Sequence, residues 1–150
     1  MIKNLKLFTV LFLALAIQSC SNNDDDDYVT QPKTIYEHVA TSSNYSYLTY
    51  ALQKTNLDGV LNGTDNYTLY APNNMAFSRF LMEAGFSNVD EVPTEVLTQI
   101  LLNHVMAGLI QYRDFETGYF QTAANSAATG TPLSIHIEQV NMRVTLNGES

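Results

Sequence analysis

The stretch that most constrains the fold is a strand pattern that passes directly into a helix pattern at residues 67–77. Residues 67–70 are Tyr-Thr-Leu-Tyr, all types that are common in β-strands. Pro72 ends the strand, because proline favours an extended conformation for the residue before it and has no N–H for a ladder hydrogen bond. Asn73 or Asn74 can then cap a helix with apolar residues at helical spacing. A strand joined this closely to a helix ties two layers of one domain together.

Helical patterns come first in the chain, and most strand patterns come last. The predicted helices cover residues 34–40, 45–52 (capped by Ser43 or Asn44), 74–84 (ended by Gly85) and 94–102. Leu57, Val60 and Leu61 form another turn of apolar contact. Beyond residues 67–70, the predicted strands cover residues 105–110, 119–122, 133–138 (with Leu133, Ile135 and Ile137 inward) and 142–146. Residues 123–131 are predicted to be a loop and Asn147-Gly148 a hairpin turn. A run of helices followed by a run of strands predicts an α+β fold.

The first 19 residues have the pattern of a signal peptide. Lys3 and Lys6 precede an apolar run at residues 7–17, which is too short to span a bilayer comfortably. The run ends in Ile-Gln-Ser-Cys, which resembles a bacterial lipobox, so we expect Cys20 to be lipidated and to anchor the protein in a membrane. The alternative is an ordinary secretory leader followed by a chance cysteine.

Residues 20–32 are predicted to form a flexible, acidic tether after the lipidated cysteine. Residues 24–27 are four consecutive aspartates, which repel one another and bury no apolar surface. An acidic run at this place resembles the surface-export signal of some Gram-negative lipoproteins, and the alternative is a solvated spacer. We therefore expect an outer-membrane location in a Gram-negative bacterium, with the domain facing outwards.

The charge and the motifs of the chain argue against several functions. Without the leader, 5 basic and 15 acidic residues remain, and the basic residues are scattered, so we expect no nucleic-acid partner. The three histidines, His38, His104 and His136, lack partners at metal-ligand spacing. No nucleophile motif or phosphate-binding glycine loop is present. The sequence therefore predicts a protein that is not an enzyme and has neither cofactor nor metal.

Two segments resemble the fasciclin (FAS1) domain family. The first signature block of that family is similar to residues 67–77, with the matching positions Tyr67, Thr68, Ala71, Pro72, Asn74, Ala76 and Phe77. Residues 97–108 resemble the family segment in which a helix ends at a Tyr-His pair; His104 is present here, but Asn103 replaces the tyrosine. The resemblance implies a FAS1-like β-sandwich with helices packed along one side, over residues 33–150.

In the family, further strand and a second signature block follow the position of Asn147-Gly148. Nothing of that kind occurs in this sequence. The resemblance therefore implies that the last strand or strands are missing from the sandwich. A fragment, a truncated reading frame and completion of the sheet by another chain are the alternatives.

The resemblance implies an adhesion or interaction module that binds a protein or matrix ligand, and the lipobox-like sequence at Cys20 adds the expectation that this module is membrane-anchored. One alternative is an accessory glycan-binding lipoprotein of an outer-membrane nutrient uptake system, motivated by the cluster Tyr45, Tyr47 and Tyr50. Another alternative is a truncated, non-functional fragment. For His104, a structural role at the helix end, donating to terminal carbonyls, is favoured over a ligand or catalytic role.

Overall fold

The structure is a computed structural model that describes residues 33–140 and 143–147. The predicted signal peptide at residues 1–19 and the lipidated tether at residues 20–32 lie outside the described residues, as does Gly148 of the predicted turn. The helices are α1 Ile35–Ala40, α2 Ser46–Lys54, α3 Leu57–Leu61, α4 Asn74–Ala84 and α5 Thr94–Leu102. The strands are β1 Tyr67–Leu69, β2 Val105–Ala107, β3 Gly118–Asn125, β4 Pro132–Val140 and β5 Arg143–Leu146.

The strands form two antiparallel sheets. Strands β1 and β2 form a two-stranded sheet, in which Thr68 lies opposite Met106. Strands β3, β4 and β5 form a three-stranded sheet with β4 in the centre. Within the described residues the two sheets share no strand, so the sandwich is not closed. The α+β prediction is confirmed.

Two apolar clusters meet at strand β2. Val105 belongs to the larger cluster, which includes the buried faces of α2, α4 and α5. Met106, the next residue, packs instead with Ile135 and Ile137 of the three-stranded sheet. Because successive residues of a strand point to opposite faces, the small sheet has the helices on one side and the larger sheet on the other.

The ends of α4 agree with the sequence prediction at both termini. The Asn73 side chain accepts a hydrogen bond from the backbone N–H of Ala76 at 2.9 Å, which caps the helix. Gly85 ends the helix with φ of 78°, a left-handed conformation that costs glycine little. At α1, Thr34 and Glu37 form a reciprocal capping box.

The predicted cap of α2 is wrong. Neither Ser43 nor Asn44 caps this helix through its side chain; residues Ser43–Tyr45 form a 3-10 turn, and the α-helix starts at Ser46. The N–H of Tyr47 instead donates a hydrogen bond to the side chain of Asn74, which lies 27 residues further along the sequence. Tertiary packing therefore supplies the cap that the local sequence does not.

Several strand boundaries also differ from the prediction. Strand β2 ends at Ala107, because Gly108 has φ of 92° and turns the chain out of the extended conformation. Strand β3 extends through residues 123–125, which were predicted to be loop, and a register shift between Gln121 and Asn125 accommodates them. In β4, Ile135 and Ile137 are buried as predicted, but Leu133 is exposed near the strand end.

Candidate functional site

Asn74 joins the N-termini of two helices. Its side-chain Oδ1 accepts hydrogen bonds from the Ser46 hydroxyl at 3.2 Å and from the Tyr47 N–H at 3.1 Å. Its Nδ2 donates to the Ser43 carbonyl at 2.8 Å. Because Asn74 is the first residue of α4, one amide side chain holds the start of α2 against the start of α4.

We expect Asn74→Ala to lower the free energy of unfolding by about 1–2 kcal/mol, the usual range for loss of a helix cap. Urea denaturation of the domain measures this change. Asn44→Ala is the matched control, because Asn44 is exposed and supplies no side-chain cap to the neighbouring helix. Equal stability of the two variants would contradict the bridging role of Asn74.

Thr68 fixes the chain that follows β2. Its hydroxyl donates to the Gly108 carbonyl at 2.8 Å and accepts from the Ile110 N–H at 3.0 Å. The hydroxyl thus satisfies two backbone groups of a segment that has already left the ladder. A threonine therefore suits this position in β1, because its hydroxyl can both donate to and accept from the backbone just after β2.

His104 lies at the junction of α5 and β2. Its Nδ1 is 2.7 Å from the Ile100 carbonyl, so a proton on Nδ1 satisfies a carbonyl at the helix end. The His104 carbonyl accepts from the Tyr70 N–H at 2.9 Å and continues the β1–β2 ladder. Beside it, the Asn103 side chain accepts from the Thr122 hydroxyl at 3.0 Å, which ties the helix end to β3.

The structure brings some of the signature residues to the core and others to a surface cleft. Phe77 is buried in the larger cluster, and its ring lies 6.3 Å from that of Tyr47. Tyr67 is half-buried against the same cluster. Ala71, Pro72, Ala76 and His104 line a cleft on the other side of the segment.

This cleft has a volume of about 730 Å³ and lies between the signature segment and the three-stranded sheet. We call it the signature cleft. One wall comes from residues 70–73 and the first turn of α4, and the opposite wall comes from β4 and β5. The lining residues are Tyr70, Ala71, Pro72, Asn73, Ala76, Asn103, His104, Ile135, Leu146 and Asn147.

Tyr70 gives the signature cleft an unusual polar group. Its ring packs on Phe115, with 6.1 Å between the ring centroids. Its hydroxyl oxygen is buried and has no hydrogen-bond partner among the described residues. Burial raises the pKa of the Tyr70 phenol above its usual value, so the hydroxyl stays protonated and remains a donor. Unsatisfied buried hydroxyls are uncommon in native proteins and are costly.

Within the described residues, strand β5 presents an unpaired backbone edge next to the cleft. The Asn147 N–H donates to the His136 carbonyl at 2.8 Å, which makes these residues a hydrogen-bonded pair of the β4–β5 ladder. Hydrogen-bonded and non-bonded pairs alternate along an antiparallel ladder, so the N–H and C=O groups of Val144 and Leu146 point away from β4. None of the described strands pairs with that edge.

We expect Tyr70→Phe to raise the free energy of unfolding by about 1 kcal/mol, because it removes an unsatisfied buried hydroxyl and keeps the packed ring. Chemical denaturation of the ligand-free protein measures the change. Tyr119→Phe serves as the control, since Tyr119 is 79% exposed. A destabilised Tyr70→Phe variant would show that the hydroxyl has a partner in the folded protein.

The predicted tyrosine cluster does not form one platform. Tyr45 packs against the larger core cluster and is half-buried, whereas Tyr47 and Tyr50 remain exposed at 39% and 43%.

Within residues 33–140 and 143–147, no group of histidine, cysteine or acidic side chains is arranged to hold a metal ion. None of the helices described has the length and apolar character needed to cross a bilayer.

Lys54 is a structural residue that the sequence did not reveal. Its ammonium group donates to the carbonyls of Val89, Asp90 and Val92 at 2.8–3.0 Å. These carbonyls belong to the 3-10 turn before α5, which lies 35 to 38 residues further along the chain. No local pattern connects a lysine near the end of one helix with a distant turn, so only the folded chain shows this contact.

The Fasciclin domain family matches residues 43–150, which is more than half of the chain. The chain belongs to the fasciclin domain family. Fasciclin domains are in general cell-adhesion modules and not enzymes. No curated protein matches the sequence.

A solved structure supports the fasciclin fold. It is described as a FAS1 domain pair from the insect cell adhesion molecule fasciclin I. The TM-score is 0.57 at 13% sequence identity, and the match covers 77% of this chain. This chain spans 41% of the length of the insect structure, so the likeness applies to the fold alone. The helices and antiparallel sheets described above are therefore those of a FAS1-like fold.

Proposed function

We propose that this fasciclin domain is a membrane-anchored adhesion module that binds a protein or matrix ligand at a bacterial surface. The general role of the family supports adhesion. The lipobox-like Ile-Gln-Ser-Cys and the acidic residues 24–27 support a lipid anchor on Cys20 and an outward-facing position in a Gram-negative outer membrane.

The observation that carries the proposal is the signature cleft beside the unpaired edge of β5. Leu146 belongs to both features, since it lines the cleft and has peptide groups that point away from β4. An extended ligand segment at this edge forms main-chain hydrogen bonds, and its alternate side chains enter the cleft. Tyr70, whose hydroxyl is buried, also lines the cleft and adds an aromatic ring to its wall. The ligand is therefore an extended segment of a protein.

Two substitutions on the same helix test this assignment. Ala76 and Ser78 are both exposed on α4, but only Ala76 lines the signature cleft. Ala76→Arg places a long charged side chain in the cleft, whereas Ser78→Arg adds the same charge outside it. We expect Ala76→Arg to weaken ligand retention at least tenfold and Ser78→Arg to leave it unchanged.

Retention is measured with the full chain, anchored in phosphatidylcholine vesicles, on surfaces coated with collagen, laminin or fibronectin. Protein-free vesicles and albumin-coated surfaces give the background. Binding to every coated surface at the background level would overturn the adhesion proposal. Equal losses for Ala76→Arg and Ser78→Arg would show that adhesion does not use the signature cleft.

Glycan binding is the second candidate function, and the exposure of Tyr50 favours it. An exposed aromatic ring can pack on the apolar face of a sugar.

The third alternative, a truncated non-functional fragment, predicts a different result: purified residues 28–150 would unfold without a cooperative thermal transition.

A further inference from the structure

A second groove lies between the end of α1 and the outer face of α2. Its volume is about 280 Å³, and we call it the helical groove. It shares no lining residue with the signature cleft. None of its side chains is charged. The lining residues are Ala40, Thr41, Ser42, Ser43, Ser46, Thr49, Tyr50 and Gln53.

One wall of the helical groove is an aromatic ring in a defined position. Tyr50 is 43% exposed, and its hydroxyl donates a hydrogen bond to the Asp90 carboxylate. This hydrogen bond raises the pKa of the Tyr50 phenol, so the donor proton is retained. A ring held at its far end loses little freedom when a ligand packs against it.

Several polar side chains of the groove already use a donor within the protein, among them those of Ser46, Thr49 and Gln53. The Thr49 hydroxyl donates to a backbone carbonyl one helical turn earlier at 3.0 Å, and the Ser46 hydroxyl donates to Asn74 at 3.2 Å. The Gln53 amide nitrogen donates to the Tyr36 hydroxyl at 2.7 Å. The lone pairs of the Thr49 hydroxyl and the side-chain carbonyl of Gln53 then serve as acceptors. A matching ligand is rich in O–H donors.

We propose that the helical groove is a subsite for a neutral sugar residue of a glycan. The apolar face of the sugar ring packs on Tyr50, and its hydroxyls donate to the oxygens of Thr49 and Gln53. Because no cation lines the groove, acidic sugars gain no charge pairing there. This inference rests on the second candidate function and is independent of adhesion through the signature cleft.

The test compares two exposed tyrosines. Full-length protein in mild detergent is run through native gels that contain mannan, xylan or dextran as neutral probes, or polygalacturonate as the acidic probe. We expect at least one neutral polysaccharide to retard the protein, and Tyr50→Ala to weaken this binding at least tenfold. Tyr119→Ala removes an equally large ring from strand β3, far along the chain and outside the groove, and is expected to bind as the wild type does.

Several outcomes overturn the proposal. These are the absence of retardation by all three neutral probes, equal losses for Tyr50→Ala and Tyr119→Ala, and retardation by polygalacturonate alone. Thermal melts of both variants show whether each remains folded. Ala76→Arg is expected to keep full glycan binding. If the protein is not retained on matrix surfaces but polysaccharides still retard it, the result counts only against the adhesion proposal. If matrix surfaces retain the protein but no neutral polysaccharide retards it, the result counts only against the helical-groove proposal.

Discussion

Replacing Phe77 by alanine is expected to lower the free energy of unfolding by about 3–5 kcal/mol. Phe77 is only 4% exposed and belongs to the cluster that joins α2, α4 and α5 to the small sheet. Its removal leaves a cavity where the strand-to-helix segment meets the helices, because the packed neighbours collapse only partly into the space. A loss of this size consumes a large part of a typical domain stability of about 5–15 kcal/mol.

Thermal unfolding followed by circular dichroism measures this effect, with an expected fall in Tm of more than about 10 °C. Met75→Ala is the matched control on the same helix, since Met75 is 77% exposed and its truncation should change stability by less than about 0.5 kcal/mol. An unchanged Tm for Phe77→Ala would contradict the central position of this ring in the core.

Replacing Cys20 by alanine is expected to move the protein from the membrane fraction to the soluble fraction. Without the leader the chain carries 5 basic and 15 acidic residues, so attraction to anionic lipids does not hold it at a membrane. In the proposed function, lipid chains on Cys20 supply the anchor instead, at about 0.8 kcal/mol for each buried methylene group.

Fractionation of cells with a high-salt wash tests the anchor, because salt removes electrostatically bound protein and leaves lipid-anchored protein in the pellet. Ser19→Ala is the control: it keeps a small residue before the cysteine, and we expect it to remain in the membrane. Retention of the Cys20→Ala variant after the wash would mean that another part of the protein holds it there.

Local signals in the sequence predicted α4 at both ends. Asn73 and Gly85 act within four residues of the helix termini, so the sequence alone shows what they do. The apolar spacing of Leu48, Ala51 and Leu52 likewise predicted the face of α2 that is fully buried. Family membership followed from the same kind of information, because the residues within each of the two signature blocks are consecutive or nearly so.

The boundaries of the strands were harder to predict from the sequence. Residues 123–125 are Ala-Ala-Asn, small residues with weak strand preference, but pairing with the start of β4 makes them part of β3. Their strand conformation comes from the partner strand, and a sequence-based prediction does not contain the partner's position. The same holds for α2, whose cap is supplied by Asn74 from a distant segment.

The candidate site was also predicted only in part from the sequence. The sequence pointed to the signature segment and to His104, both of which line the signature cleft. It did not indicate that the Tyr70 hydroxyl is buried with no hydrogen-bond partner in the described part of the chain, or that Tyr50 is held by Asp90. Both facts depend on which side chains from remote segments lie nearby.

By itself, the sequence determined the α+β class, the fasciclin family, both ends of α4 and much of the apolar core. These properties depend on residues within one or two turns of each other, or on the periodicity of burial. The tertiary structure alone decided the signature cleft, the open edge of β5, the helical groove and the bonds made by Asn74 and Lys54. The signature cleft and the bonds of Asn74 and Lys54 form where segments tens of residues apart are packed together, and a linear pattern of residue types does not specify such contacts.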